Sequence, residues 1–400
     1  MNLLDNYDFR GKRVFVRPDL NCPIDEKTGR VEKSPRVIEH AKTTILELSE
    51  KGAKVIVLAH QGRKGEPDCV SLNQHAKFLE EETGKRVIFV PDVCGHMAKK
   101  AISNLKNGEI LLLENVRFLD DETAFRTPQE YSKSSLVKNL LPFCDAFVLD
   151  GFSVSHRAQA SVIGFISKPT FAGRVMEKEL AALSHLKNPL RPCTFILGGA
   201  KPEDSIPILE HWLSQKKADY FLCGGVLGLL ILLASGVNLG KTKRYMEEKN
   251  HTKHIPLIRG LLEKYQKHIK LPLDVAYDKN GQRHECPTSS LPIPHDIYDI
   301  GTDTQSEFSS LIKRSKTIII NGPLGVYENN EFAKGTRAVL EAIASTNSFS
   351  IVGGGHTLSA IEKFEIDKKK FSYISLAGKA LVEYLSGKSL PGLEILRKHK

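Results

Sequence analysis

The side chains best equipped for chemistry fall at the ends of short apolar runs. In the first half of the chain these runs close on "DLN" at 19–21, "HQGR" at 60–63, "ENVRF" at 114–118 and "SHR" at 155–157. His60, Arg63, Arg117 and Arg157 are thus delivered again and again to the same place in the pattern. A guanidinium fork grips carboxylate or phosphate oxygens with two parallel hydrogen bonds, so as a group they read as an anion site. Any one of these arginines alone is more often the partner of a surface carboxylate. Asp19 and Asn21 read equally well as a turn.

The second half offers glycine, in "GGAK" at 198–201, "CGG" at 223–225, "NGPLG" at 321–325 and "GGGH" at 353–356. Glycine allows positive φ and close backbone approach, so amides and helix N-termini can face phosphate oxygens. One glycine pair is more often a plain turn. Four, each closing an apolar run, point to a nucleotide. Two familiar phosphate motifs do not fit. In "GGGHTL" Leu358 holds the third glycine position of the dinucleotide fingerprint, which argues against a nicotinamide oxidoreductase. In "GVNLGKT" at 236–242 the glycines are one residue too close for a P-loop and follow a helical run. Lys201 precedes "PEDSI", whose Pro202 suits a first helical turn. It is read either as a hold on a phosphoryl group in flight or as an exposed helix-start lysine. Glu328 is read either as an acceptor for ribose hydroxyls or as a solvated carboxylate.

These residues need elements to place them. "AKVIVLAH", "EILLLENVRF" and "DAFVLDGF" have the continuous hydrophobicity of strands buried on both faces, as do "TFILGGA", "YFLCGG", "TIIINGP" and "SIVGGG" further on. Between such runs lie helical patterns. "SPRVIEHAKTTILELSEKG" sets Val37, Ala41, Ile45 and Leu48 on one face, with Ser34 as the expected N-cap, Pro35 at the first position and Gly52 at the exit. The alternation predicts parallel sheets covered by helices on both sides, and two sets of strands predict two domains. Ligands of such sheets bind at the carboxyl ends of the strands, where the arginines and the glycines stand.

The chain has 400 residues, 41% hydrophobic and 26% charged, with a formal net charge of +10. That charge favours anionic partners, but the lysines are dispersed and no basic arm supports nucleic acid. Val226–Ala234 is too short to span a membrane and is expected to be a buried helix. The N-terminus lacks the basic and apolar regions of a signal peptide. Seven cysteines, an odd number with no C-x-x-C pair, predict reduced thiols in a cytoplasmic enzyme.

Taken together, the motifs resemble those of the phosphoglycerate kinase family over essentially the whole chain. "RPDLNCP", "HQGR", "LLLENVRF", "DGFSVSHRAQAS", "GRVMEKEL", "LGGAK", "NGPLGVYE", "FAKGT" and "VGGGHT" occur in the family's order, in forms most like its archaeal branch. The resemblance implies two Rossmann-like three-layer αβα domains with mainly parallel sheets, joined by a connecting helix. These would be a phosphoglycerate-binding domain at 1–168, a linker helix at 169–186, a nucleotide-binding domain at 187–380, and a segment at 381–400 returning to the first domain. It implies phosphoryl transfer between 1,3-bisphosphoglycerate and ADP, with Mg²⁺ accompanying ATP or ADP, by domain closure in a monomer or homodimer. Asp19, Leu20, Asn21, Arg36, His60, Gln61, Gly62, Arg63, Arg117 and Arg157 would hold phosphoglycerate. Lys201, Asn321, Glu328, Gly353, Gly354, Gly355, His356 and Thr357 would serve the nucleotide, and no metal ligand is assigned.

Arg36, Lys201 and Lys379 take the catalytic places. Lys379 enters because the family often has a second lysine four residues past Lys201, where this chain has Ser205. His356 stands where many members have aspartate. "SLAGKA" at 375–380 keeps Ser375, Gly378 and Ala380 of a glycine-rich family loop but puts Ala377 and Lys379 at the other glycine positions. That loop leaves a second reading open: a divergent relative that binds these ligands with weak or no transfer.

Overall fold

The computed structural model describes residues 1–25 and 27–398. The chain divides into two compact units, Met1–Ala181 together with the stretch from Ser389 onward, and Ala182–Lys388.

The first unit is built on a seven-stranded sheet. Its order is Asn2–Leu3, Thr170–Ala172, Ala146–Leu149, Arg13–Arg17, Lys54–Val57, Ile110–Leu113 and Val87–Val90, with every pairing parallel. The runs Ile110–Leu113 and Ala146–Leu149 are buried at every position, because a parallel sheet is covered on both faces. The expected helix runs from Pro35 to Glu50 but contains a π-helical stretch, Ala41–Ile45. Val37, Ala41, Ile45 and Leu48 are all fully buried on the sheet. Ser34 occupies the N-cap position without capping. Its hydroxyl instead points to Asn21 O at 3.5 Å, so the helix start is tied to the "DLN" turn.

The stretch from Ser389 carries the helix Pro391–Lys398, which docks on this unit through Gly392. Gly392 N–H donates to Ser155 O at 2.9 Å, and a Cβ there would lie 2.6 Å from that of Ser155. The preceding helix, Lys379–Leu385, belongs to the second unit. The reason is packing: Trp212 Nε1 donates to Leu385 O at 2.8 Å.

The second unit holds a six-stranded sheet, ordered Ile269–Lys270, Tyr220–Cys223, Cys193–Leu197, Thr317–Asn321, Phe349–Gly353 and Tyr373–Ile374, again parallel throughout. A three-stranded antiparallel sheet of Gln282–Pro287, Asp274–Lys279 and Ile297–Ile300 stands beside it; the apolar-run pattern did not reveal it. Helix Gly225–Ala234 is buried nearly all round, as expected. No described helix is long and apolar enough to cross a membrane.

Candidate functional site

In the first unit the strand ends bring cations around one buried carboxylate. Asp19, two residues past the Arg13–Arg17 strand, is only 3% exposed. Its Oδ2 accepts from Arg36 Nη1 at 3.1 Å and from the Ser153 hydroxyl, while Oδ1 accepts from the Asn21 amide at 3.1 Å. Burial alone would raise its pKa, but Arg36 and the Ser153 hydroxyl work against burial, and the carboxyl is held well below its usual range. Asp19 therefore remains an anion that aims Arg36. It can also accept from a ligand hydroxyl.

Arg117 is the clearest ligand-seeking group. It is buried, yet its Nε and Nη2 have no hydrogen-bond partner. Buried donors are nearly always satisfied, and leaving them open is costly. The residue is fixed from behind: Asn115 Oδ1 accepts from Arg117 N at 3.0 Å, and Asn115 Nδ2 donates to Gln61 O and Val70 O at 2.9 and 2.8 Å. Arg17, Asp19, Arg117 and Arg157 all act electrostatically on His60, and Arg63 acts on Arg117, so these residues share one neighbourhood. Arg63 is exposed, and Arg157 Nε donates to His156 Nε2 at 3.0 Å.

Three members of the expected set have their side chains, or the space for one, committed elsewhere. Leu20 is fully buried in the core. Gln61 spends its amide on Cys22, accepting from N at 2.9 Å and donating to O at 3.0 Å. Gly62 has φ +69, and a Cβ on it would lie 2.3 Å from the Asp68 carbonyl carbon. It gives its N–H to Asn21 Oδ1 at 2.8 Å. These residues shape the loops, and what they offer a ligand is backbone.

Strand-end reading missed the layer beneath. Arg17 is fully buried; its Nε donates to Ser161 Oγ at 2.8 Å, and its Nη2 lies 3.2 Å from His60 Nδ1. Burial draws its pKa down to about 10. Ser161 in turn donates to Glu122, hydroxyl to Oε1 at 2.6 Å and amide to Oε2 at 3.0 Å. On the other side, Asp19 N–H donates to His40 Nε2 at 3.2 Å, and His40 Nδ1 pairs with the buried Asp150. The only local signal for Arg17 was an arginine ending an apolar strand directly before "PDLN".

Burial pushes Glu122 up to about 7, against the pull of Arg17. A carboxyl with a raised folded pKa binds more protons folded than unfolded between the two values, so its contribution to stability falls as pH rises through that window. Glu122→Gln removes this slope. Urea midpoints of parent and variant should therefore converge, or reverse in favour of the variant, from about pH 4.5 to about 7. A parent–variant difference that is constant across that range overturns the assignment.

In the second unit three glycine turns lock together backbone to backbone. Gly199 N–H donates to Pro323 O at 2.7 Å, Gly225 N–H to Leu324 O at 2.8 Å, and Val226 N–H to Gly199 O at 3.1 Å. Gly322 has φ +91, and a Cβ there would sit 2.6 Å from the carbonyl carbon of Gly198. These glycines permit the loops to touch, which differs from the expected direct approach to phosphate. The fourth turn does differ: Gly354 has φ +87, and nothing lies within 4 Å of a Cβ built on Gly355, where helix Gly355–Lys363 begins. Thr357 Oγ1 accepts from Gly322 N at 2.9 Å and joins this turn to the others. Gly353 ends its strand beside Asn321, whose buried Oδ1 has no partner.

The turns border a cavity of about 740 Å³ lined by Gly199, Gly225, Leu229, Tyr298, Leu324 and Glu328, among others. Apolar walls with a polar rim at this volume suit a small ligand such as a nucleotide. His356 is on the lining but exposed; its Nδ1 lies 3.3 Å from Tyr327 Oη and 3.7 Å from Glu328 Oε1. It does not cap the helix that follows. Lys201 is exposed at the N-cap position of helix Pro202–Gln215, and its side chain does not cap it.

The "SLAGKA" loop carries no strain from its substitutions. Its left-handed residue is Gly378, φ +55, the glycine it retains; Ala377 and Lys379 are not among the positive-φ residues. Ala377 N–H donates to Ser375 Oγ at 3.2 Å. Ser205 is buried against Gly198 O at 3.3 Å, and Lys379 Nζ pairs with Asp204, the residue before Ser205. The lysine missing at 205 thus has a cation beside its place.

Among the described residues no group of three or more His, Cys, Asp or Glu side chains is placed to hold a metal. Mg²⁺ takes oxygen ligands, and at the rim His356 offers nitrogen. The described residues at this rim do not fit a resident magnesium site.

Parallel sheets with clustered arginines at the strand ends of one unit, Arg117 with open donors among them, and glycine turns around a nucleotide-sized cavity in the other fit an α/β phosphotransferase. Residues 4–388 match the sequence profile of the phosphoglycerate kinase family. The phosphoglycerate kinases of Methanothermus fervidus and Methanococcus maripaludis are 40% and 41% identical, over 99% of this chain and 96% and 97% of theirs. The crystal structure of phosphoglycerate kinase from Pyrococcus horikoshii superposes with a TM-score of 0.89 at 35% identity, covering 99% of this chain and 98% of that one. The Coxiella burnetii enzyme gives 0.84 at 31% identity. The chain belongs to the phosphoglycerate kinase family.

Proposed function

We propose that the protein moves a phosphoryl group reversibly between 1,3-bisphosphoglycerate and ADP, giving 3-phosphoglycerate and ATP, with its two units dividing the ligands. The observation that carries this is Arg117, a buried cation with open donors among further arginines. Asp19, Asn21, Arg36, His60, Arg63, Arg117 and Arg157 hold phosphoglycerate, with Leu20, Gln61 and Gly62 shaping the loops. Asn321, Glu328, His356, Thr357 and the Gly353–Gly355 turn hold the nucleotide, with helix Gly355–Lys363 presenting its first amides to phosphate.

A β-phosphate oxygen of ADP attacks the phosphorus of the acyl phosphate, a P–O bond forms, and the carboxylate leaves with its electron pair. The protein's part is to position the groups, neutralise charge and exclude water. Lys201 and Arg36 supply the positive charge at the moving group, and Lys379 reinforces Lys201. The nucleotide binds as its magnesium complex, its own phosphates supplying the oxygen ligands. We place the enzyme in the cytoplasm, as a monomer or homodimer; its seven free thiols support a reducing compartment.

The test is a coupled assay for ATP-dependent consumption of 3-phosphoglycerate. Turnover on the order of 1–10³ s⁻¹ is expected; ligand binding with no turnover overturns the reading. In the same assay Lys379→Ala should lower turnover about ten-fold, while its exposed ion pair contributes at most about 1 kcal/mol to stability. Unchanged turnover removes Lys379 from the catalytic set.

A further inference from the structure

We propose that Arg17, anchored through Ser161 to Glu122, is a positioning residue that fixes His60 in the tautomer with its proton on Nε2, so that this imidazole always presents an N–H donor to bound phosphoglycerate. The direction of every link follows from which groups can donate. Arginine is a donor only, and a carboxyl, ionised or protonated, keeps an oxygen that accepts. Ser161 gives its hydroxyl hydrogen to Glu122 Oε1 at 2.6 Å, which leaves its oxygen to accept from Arg17 Nε at 2.8 Å. The fork of the same guanidinium reaches His60 Nδ1 with Nη2 at 3.2 Å. Nδ1 must therefore offer its lone pair, and the ring proton sits on Nε2.

A second proton on Nδ1 would set one N–H against another inside a buried contact, since Arg17 is fully buried and His60 is 7% exposed. The charged groups facing His60 from the surrounding loops are Arg17, Asp19, Arg117 and Arg157. Three are cations, and burial and Arg17 together hold the imidazole well below its ordinary range against the one opposing carboxylate. An anion site that used His60 as a charge would lose that charge as pH rises past about 6.5. One that uses a fixed N–H donor does not.

The proposal rests on the functional reading above only for the identity of the ligand, so it is tested first without one. Imidazole ¹⁵N resonances of the ligand-free protein, with His60 assigned by His60→Gln, should show Nε2–H and a bare Nδ1 for His60, without titration between about pH 5.5 and 8. In Arg17→Met, which removes the partner of Nδ1 but leaves the ring buried, His60 should populate both tautomers. KM for 3-phosphoglycerate should then be raised a few-fold over the parent at constant pH, with kcat within about two-fold. Ser161→Ala, a small-for-small change, guards against a variant that does not fold; it should loosen the tautomer and raise KM a few-fold. An Nδ1–H tautomer in the parent, or a His60 unmoved in both variants, overturns the proposal. Failure of 3-phosphoglycerate to bind at all, with the tautomer as stated, overturns the ligand reading alone.

Discussion

Replacing Arg117 with methionine is expected to raise KM for 3-phosphoglycerate about 100-fold while leaving the thermal midpoint unchanged or higher. The two effects have one cause. The Nε and Nη2 of Arg117 are buried without partners, and each unsatisfied donor costs about 1–3 kcal/mol in the empty protein. An anionic ligand supplies the missing acceptors, and charge-assisted bonds to it are each worth about 1.5–3 kcal/mol. Methionine fills much the same volume with no donor, so the free protein loses a liability and the complex loses its grip. Steady-state kinetics together with a thermal melt decides it. A lower midpoint with an unchanged KM would make Arg117 a structural arginine.

Lys201→Ala should act on the other parameter, lowering kcat and kcat/KM together by about 100-fold or more, because a charge felt only by the moving phosphoryl group stabilises only the transition state. Stability should stay within about 0.5 kcal/mol, as for an ordinary surface change. The side chain is exposed and does not cap its helix, so little in the fold depends on it. The competing reading from the sequence, a helix-start lysine with no further role, predicts intact kcat. A single turnover series on the variant separates the two.

Several features were legible because they are local. Burial on both faces writes itself into "EILLLENVRF" and "DAFVLDGF" as unbroken apolar runs, and the runs did become parallel strands. Residues that follow a strand must emerge at its carboxyl end, so Asp19, His60 and Arg117 could be grouped before any contact was known. The antiparallel sheet at 274–300 escaped because "DVAYDKNGQRHECP" is half exposed and mostly polar, with no apolar run to announce it. Ser34 had the type and position of an N-cap, but a tertiary partner, Asn21 O, competes for its hydroxyl.

By itself, then, the sequence determined the class of fold, the family, and which residues emerge at strand ends, all matters of periodicity and chain order. Only the tertiary structure decided what those residues do there. It turned three of four glycine turns into backbone-to-backbone contacts, and left Gly378 alone carrying positive φ in the "SLAGKA" loop. It also laid Arg17 against a serine 144 residues away and a histidine 43 residues away. Such pairings leave no local pattern, because a hydrogen bond constrains two chemical groups in space and nothing about the residues between them.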